Sequence, residues 1–436
     1  MGGVVGLSPT SKRSVAASGL AILVGLSLAV PSLPAGAGSV EQPTVVSPDP
    51  ADFTPNVVAD AKVSAPAVFA MAQSHGVMYA GGHFRTVENA AGTKTFDRRN
   101  VVAFDAETGK IKEFAPVVNG SVSAVQQYKN AVFLGGSFTK VDGKKRTAIV
   151  KVNRKSGKVI KKFASPFTKG EVTDLHMVKG KLVAAGSIPG ALKALNARTG
   201  KVTEYLKLRI KGSVASNGGP TRVSQFAANS DRKRLVAVGN FTSVQGKKRW
   251  RAFMVKLGDN KGTVTPWSYK PFKRSCSGSN IPSYLKDVDF APNGSYFVVV
   301  ASGFVAPQGT IGTAVCDAAA RFETHVKHPS KPTWINYTGG DSLYSTVVTG
   351  AAVYVQGHQR WLDNPEGVNE PGPGAVDRKG IGAINPSTGK ALAWNPGKSR
   401  AVGGRSLVAT KAGLWVGSDG TEFAGEFHGR IAFCPL

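Results

Sequence analysis

Cysteine is scarce in this chain. Three residues, Cys276, Cys316 and Cys434, among 436 cannot build the covalent framework of a small disulfide scaffold. With no C-x-x-C pair and no histidine at ligand spacing, they match no zinc pattern either. Acidic residues are also few, with 27 Asp and Glu against 55 Lys and Arg, a formal charge of +28. Charged residues of both signs make up only 19% of the chain, too little for a charge-driven disordered polymer. Repeated apolar runs of about 20 residues, as a multi-span membrane protein needs, are missing. Sustained helical periodicity is missing beyond the leader, which excludes a coiled coil. The sequence has no G-x-S-x-G elbow, no H-E-x-x-H pair, no phosphate loop and no dinucleotide fingerprint. SDGT at 418–421 matches part of a sialidase Asp-box but lacks the Gly-x-Thr-Trp that follows it. No catalytic residue, cofactor or metal is therefore expected.

What is present begins with an address. Lys12 and Arg13 precede an apolar run over 16–30, then Pro31, Pro34 and Ala35-Gly36-Ala37. A positive flank, a short apolar core and small residues in an A-x-A arrangement form a secretory signal peptide, cut near Ala37. The mature chain is expected to be secreted, extracellular or cell-wall associated, with no membrane span after cleavage. In that oxidising setting Cys276 and Cys316 are expected to pair, contributing on the order of 4 kcal/mol, and Cys434 to stay free and buried.

The remainder is organised by a repeated glycine that closes a β-rich apolar run. MYAGGHF, VFLGGSF, LVAAGS, LVAVGNF, VVVASGF, VYVQGH and LWVGS end on Gly82, Gly136, Gly186, Gly239, Gly303, Gly357 and Gly417. In each unit a strand leads in, the glycine-ended strand follows a tight turn, and a third strand closes on a D/N-x-x-[ST]-G turn. AFDAETG, KVNRKSG, ALNARTG and AINPSTG carry that turn, which supplies the positive φ a tight hairpin needs. A fourth strand with aromatics, as in IKEFAP or ALAWNP, completes the unit. Seven units of four strands predict an all-β fold, a single seven-bladed β-propeller of antiparallel blades. Its inner strands should be apolar on both sides, as VFLGG and VVVAS are. The last unit stops at its third strand, GRIAFCPL. The mature N-terminal segment, 38–62, is expected to cross over and complete it, with the propeller itself spanning 63–436. The alternative is a ragged three-stranded last blade with residues 38–60 disordered.

The pattern G-G-x-F-T-x-V-x-G-x-x-R, followed by the closing turn, is best seen in GGSFTKVDGKKRTAIVKVNRKSGKV at 135–159 and again in VGNFTSVQGKKRW at 238–250. It resembles the delta-60 repeat, a β-propeller family of unknown biochemical function related in look to kelch-type and Rax2-like propellers. The stretches 283–300, 339–361 and 413–420 resemble a group of secreted actinobacterial propeller proteins. The resemblance covers nearly all of the mature chain and implies a fold, with no substrate or catalytic residue attached. Gln356 stands where a second glycine is usual, and the third unit lacks the phenylalanine.

Several residue groups bear on function. Arg98, Arg146, Arg251 and Arg378 recur seven positions before the closing-turn position and are expected on one rim, each pairing with a carboxylate or backbone carbonyl of the adjacent blade. Lys144, Lys145, Lys247, Lys248 and Lys379 share those loops and would form a basic face that attracts polyanions. The expected partner is an anionic cell-envelope polymer or polysaccharide; aromatics beside the lysines are too few for a specific nucleic-acid platform, and a monomer is expected. Asp287 and Asp289, two apart on a strand, could act as an acid–base pair or hold a hard cation, against the plainer role of capping backbone groups. His358, Arg360, Trp361 and Asn364, with Asp341, form the densest polar cluster, beneath a glycine–proline loop at 364–376. They could bind a sugar or small anion. His83 reads as a loop residue standing where GGSF has serine. The sequence thus points to a secreted binding or envelope-associated scaffold; the alternative is a carbohydrate-active or oxidative enzyme with its site in the blade-six loop pocket or at the channel mouth.

Overall fold

The computed structural model describes Met1 and residues 40–214, 219–277 and 284–436. The segment expected to be a signal peptide, 1–37, and its expected cut near Ala37 otherwise lie outside the described residues. Among those described, helix is confined to two single-turn 3-10 pieces, Glu204–Leu206 and Lys270–Lys273. Among the described residues no helix is long and apolar enough to cross a membrane.

Seven antiparallel meander sheets follow one another along the chain. The first contains Ala67–Ser74, Val77–His83 and Val101–Asp105, the second Val122–Tyr128, Ala131–Gly136 and Ile149–Asn153, and the third Val172–Val178, Lys181–Gly186 and Leu192–Asn196. The fourth has four strands, Arg222–Ala228, Arg234–Asn240, Ala252–Leu257 and Gly262–Val264; so does the fifth, Tyr284–Phe290, Tyr296–Ser302, Ala318–Glu323 and Trp334–Tyr337. The sixth is Leu343–Val348, Val353–Gly357 and Ile381–Ile384, and the seventh Ser406–Thr410, Gly413–Gly417 and Ile431–Pro435. In the first, second, third and sixth units the fourth strand shrinks to one bridge, such as Phe104 with Ile111 or Val152 with Val159. Its aromatic is nevertheless buried, as Phe114, Phe163 and Trp394 show. The first strand of each sheet packs beside the first strand of the next, and that of the seventh beside that of the first.

Burial corrects one expectation. The strands buried throughout are the second ones, Ala131–Gly136 and Tyr296–Ser302 among them, because sheets cover both their faces. The first strands, innermost in each sheet, instead carry polar residues such as Gln126, Asp174 and Asp289. The reason lies in the gap between sheets. Neighbouring first strands share no backbone ladder, so side chains must satisfy the N–H groups that face across.

The repeat residues do local work. Asp105, Asn153, Asn196 and Asn385 each accept two backbone N–H bonds through Oδ1, and Gly109, Gly157, Gly200 and Gly389 take the positive φ that ends each turn. In the Gly-Gly pair the two glycines differ. A Cβ on Gly135 would press on the Val172 side chain of the next sheet, whereas one on Gly136 would overlap the backbone carbonyl of Ser121. Gln356 replaces the first glycine in the sixth sheet, and its Nε2 donates to the carbonyls of Ser406 (2.8 Å) and Gly417 (3.2 Å) across the gap. Gly404 opposite leaves it room.

Two further features frame the sheets. Cys276 and Cys316 form a disulfide with Cα atoms 5.7 Å apart, tying down the loop between the second and third strands of the fifth sheet. Cys434 is free and buried, and burial pushes its thiol well up. The segment after residue 40 runs beside the last strand: Ser47 N–H donates to the Pro435 carbonyl (2.7 Å), Ala51 N–H to that of Phe433 (2.8 Å) and Val57 N–H to that of Gly429 (2.7 Å).

Candidate functional site

Antiparallel order decides which residues meet. Each first strand begins at the end where its second strand finishes, so the second-to-third-strand loops and the opening residues of the first strands share one end of the fold. In six sheets the first strand carries a bulge near that opening, with Phe69, Ser123, Thr173, Ser224, Lys286 and Tyr344 as the extra residues skipped by the ladder register. A bulge re-aims the extra side chain out of the ladder. These six, with Arg405 just before the seventh sheet, line one cavity of about 300 Å3, joined by Glu171, Arg222 and Gln225. Every sheet thus contributes one equivalent residue to the mouth.

The mouth is cationic. The Arg405 guanidinium lies 5.1 Å from the Phe69 ring centre and 5.9 Å from that of Tyr344, and the Lys286 ammonium 5.2 Å from Tyr344. Burial, reinforced by the charges of Arg222 and Arg405 and opposed by that of Asp317, brings Lys286 down to about 8. Among the described residues Glu171 is the one carboxylate lining the cavity; Ser123 Oγ donates to its Oε1 at 2.8 Å. Thr173 Oγ1 donates to the Ser224 carbonyl at 2.8 Å.

Asp287 and Asp289 lie deeper and face the sixth sheet. Asp287 accepts from Val288 N–H (2.8 Å) and Thr346 N–H (2.9 Å), and Asp289 from Phe290 N–H (2.9 Å) and Val348 N–H (2.8 Å). Asp174 does the same two gaps away, between the third and fourth sheets, with Leu175 N–H (2.8 Å) and Phe226 N–H (2.9 Å). Each carboxylate is a clasp between neighbouring first strands. Burial raises Asp287 to about 7 and Asp289 well above the usual range, while the N–H donors pull the other way. Among the described residues no three His, Cys, Asp or Glu side chains gather as a metal site.

Around the mouth stand the lysines. Lys144–Lys145 and Lys247–Lys248 form exposed outer strands of hairpins with Lys140–Val141 and Ser243–Val244, and Lys379 is exposed beside Arg378. All sit in second-to-third-strand loops, at the mouth end. The arginine series needs two corrections, Arg249 in place of Arg251 and carbonyls of the same unit in place of the adjacent blade. Arg98, Arg249 and Arg378 each donate to the preceding residue's carbonyl and to a carbonyl of their own unit's fourth segment, Lys112, Thr265 and Leu392 respectively. Arg146 donates to the Lys145 carbonyl. Arg251 holds the positive-φ position shared with Asn100 and Ala148, and its guanidinium donates to the Arg274 carbonyl.

The sixth-unit cluster is also at this end, and its polar groups are bound to one another. Buried Asp341 receives Arg360 Nε at 2.8 Å and an Arg400 guanidinium nitrogen at 3.0 Å. Arg360 stacks 4.3 Å over the Trp361 ring, and His358 Nδ1 lies 2.9 Å from the Ala401 carbonyl. Asn364 pins its loop, donating to the carbonyls of Thr338 and Glu370 and accepting from Gly372 N–H. His83 is exposed.

The sequence reading missed the mouth residues. Their signal was positional: Phe69, Ser123, Thr173 and Tyr344 each stand 13 residues before the last glycine of their unit. Residue type repeats nowhere in that set.

No protein-family model matches the chain, and no curated protein matches it. Solved structures do. The chain is similar to the RRP9 WD40 repeats, with a TM-score of 0.52 and 11% identity over 89% of this chain and 98% of that one. It is similar to U3-55K, with a TM-score of 0.51 and 11% identity over 89% of this chain and 100% of that one. At such identity the likeness concerns the fold alone. WD40 repeats build β-propellers, and with seven meander sheets and almost no helix among the described residues this chain is an all-β propeller.

Proposed function

We propose that this chain is a secreted seven-bladed propeller of the delta-60 type that binds an anionic cell-envelope polymer or polysaccharide across its mouth end. One observation carries the reading: paired exposed lysines on the second and fourth units stand at the same end as a mouth where Lys286, Arg222 and Arg405 face a single carboxylate. Lysines in that setting act by long-range attraction and counterion release.

The seven-blade reading includes closure by the mature N-terminus. Ala51 N–H bonds to the Phe433 carbonyl in the way that Lys112 bonds to Ala103, Ile160 to Lys151 and Leu392 to Ala383 in other units. The closing-turn glycines support it as well. Gly157 abuts Pro116 of the preceding unit and Gly200 abuts Ala164, while Gly109 of the first unit abuts Phe53 of the N-terminal segment. Residues 51–53 therefore stand in the place of a fourth strand. Catalysis at the sixth-unit cluster is not part of the proposal, because the Asp341 carboxylate is already shared between two guanidinium groups.

The test is the affinity of the chain 38–436 for an acidic polysaccharide at rising salt. The expected affinity falls steeply, and the Lys144→Gln/Lys145→Gln/Lys247→Gln/Lys248→Gln variant flattens the log–log slope by about one per lysine in contact. Salt-independent binding, or an unchanged slope in the variant, contradicts the reading.

A further inference from the structure

The mouth cavity has features that a general affinity for anions does not require. Phe69 and Tyr344 present rings; Ser123, Thr173 and Ser224 present hydroxyls; Gln225 presents an amide; and Glu171 presents an acceptor among three cations. A polyphosphate would have no use for Glu171, which repels it. A sugar acid would use all of these groups. Its carboxylate suits Lys286, Arg222 and Arg405, its hydroxyls can donate to Glu171 and exchange bonds with the serines and threonine, and its C–H face suits an aromatic ring. The volume, about 300 Å3, is at the small end of ligand sites and fits one sugar ring at the centre of a longer chain.

We propose that this cavity is a specific site for one uronic-acid residue of an acidic polysaccharide, set by the seven equivalent side chains of the mouth. The inference rests on the reading of this end as the anion-binding end and names the ligand class. The outer lysines draw in the polymer, and the mouth selects the carboxylated sugar. Geometry makes the selection local, since the mouth residues come from the openings of the first strands and the outer lysines from hairpins.

Titration of Lys286 adds a signature. With Lys286 brought down to about 8, the ammonium that would meet the carboxylate is lost as pH rises through that value, so affinity falls there. The groups around it behave differently. Arg222, Arg405 and Glu171 stand beside it in the mouth, burial raises Tyr344, and Asp317, raised to about 7, ionises below that window.

The experiment is calorimetric titration of the chain 38–436 with digalacturonate, neutral galactobiose and tripolyphosphate, on wild type, Lys286→Gln, Arg405→Gln and the four-lysine variant. Digalacturonate is expected to lose about tenfold or more in each mouth variant and clearly less than that in the four-lysine variant. Its affinity should fall above pH 8 in wild type and not in Lys286→Gln. Arg405 is exposed, so its replacement leaves the core intact should Lys286→Gln fail to fold. Galactobiose binding as tightly, or tripolyphosphate competing equally, overturns the inference. So does digalacturonate failing to bind while the polymer binds through the outer lysines, which leaves the basic-end reading standing. Digalacturonate binding at the mouth with no lysine-dependent polymer binding leaves the site standing and overturns the broader reading.

Discussion

At Gly136 a hydrogen in place of a methyl decides whether two strands can meet. A Cβ there would overlap the Ser121 carbonyl, part of a fixed backbone, while at Gly135 it would meet only the Val172 side chain. Gly136→Ala is therefore expected to cost about 3 kcal/mol and Gly135→Ala about 1 kcal/mol, as urea unfolding would measure; equal losses would contradict this account of the pair. The Gly-Gly signature was legible because such steric demands recur in unit after unit. So was the Asx turn, whose acceptor at Asp105, Asn153, Asn196 and Asn385 makes the same two bonds each time. The arginine register slipped at Arg251 because the fourth unit replaces that turn with a plainer hairpin, leaving no Asx residue from which to count. The mouth residues left a signature of position only, with none of residue type. A bulged side chain leaves the ladder for the mouth, where no recurring steric demand fixes its type, and the repeat carries Phe69, Ser123, Thr173, Ser224, Lys286 or Tyr344 there.

Among the elements, the first strands carry the least obvious design. Their acids read in sequence as either a catalytic pair or caps, and spacing alone cannot separate the two. The clasp role follows from the gap between sheets, where Thr346 N–H and Val348 N–H have no ladder partner except Asp287 and Asp289. Titration gives a handle on this. Asp287 is raised in the fold from 3.8 to about 7, so between those values the folded state binds more protons than the unfolded one. Its contribution to stability is therefore present at low pH and declines as pH rises toward 7. Asp287→Asn is expected to remove that part of the slope when thermal midpoints are compared from pH 4 to 7, and to cost about 1–3 kcal/mol for the acceptor it loses. A variant whose profile runs parallel to wild type would contradict the assignment.

For the molecule as a whole, the strand repeat made the propeller legible, while closure of the last unit by the N-terminal segment belongs to the proposal. Removing residues 38–62 in a chain that starts at 63 is expected to strip the cover from Cys434, which is buried in a cluster with Val46. Its thiol should then react with a disulfide reagent under native conditions, and an unreactive thiol would contradict closure. The direction of the loops was harder to read, since sequence order does not say which end of a strand faces which neighbour. That direction brings the basic hairpins and the mouth together. Hydrogen exchange with and without a bound acidic polysaccharide tests it directly. The account predicts protection at the mouth, around 121–123, 171–173 and 343–345, and at the hairpins 140–145 and 243–248, with none at the opposite closing turns 105–109, 153–157 and 385–389. Protection at those turns, or at neither end, would contradict it.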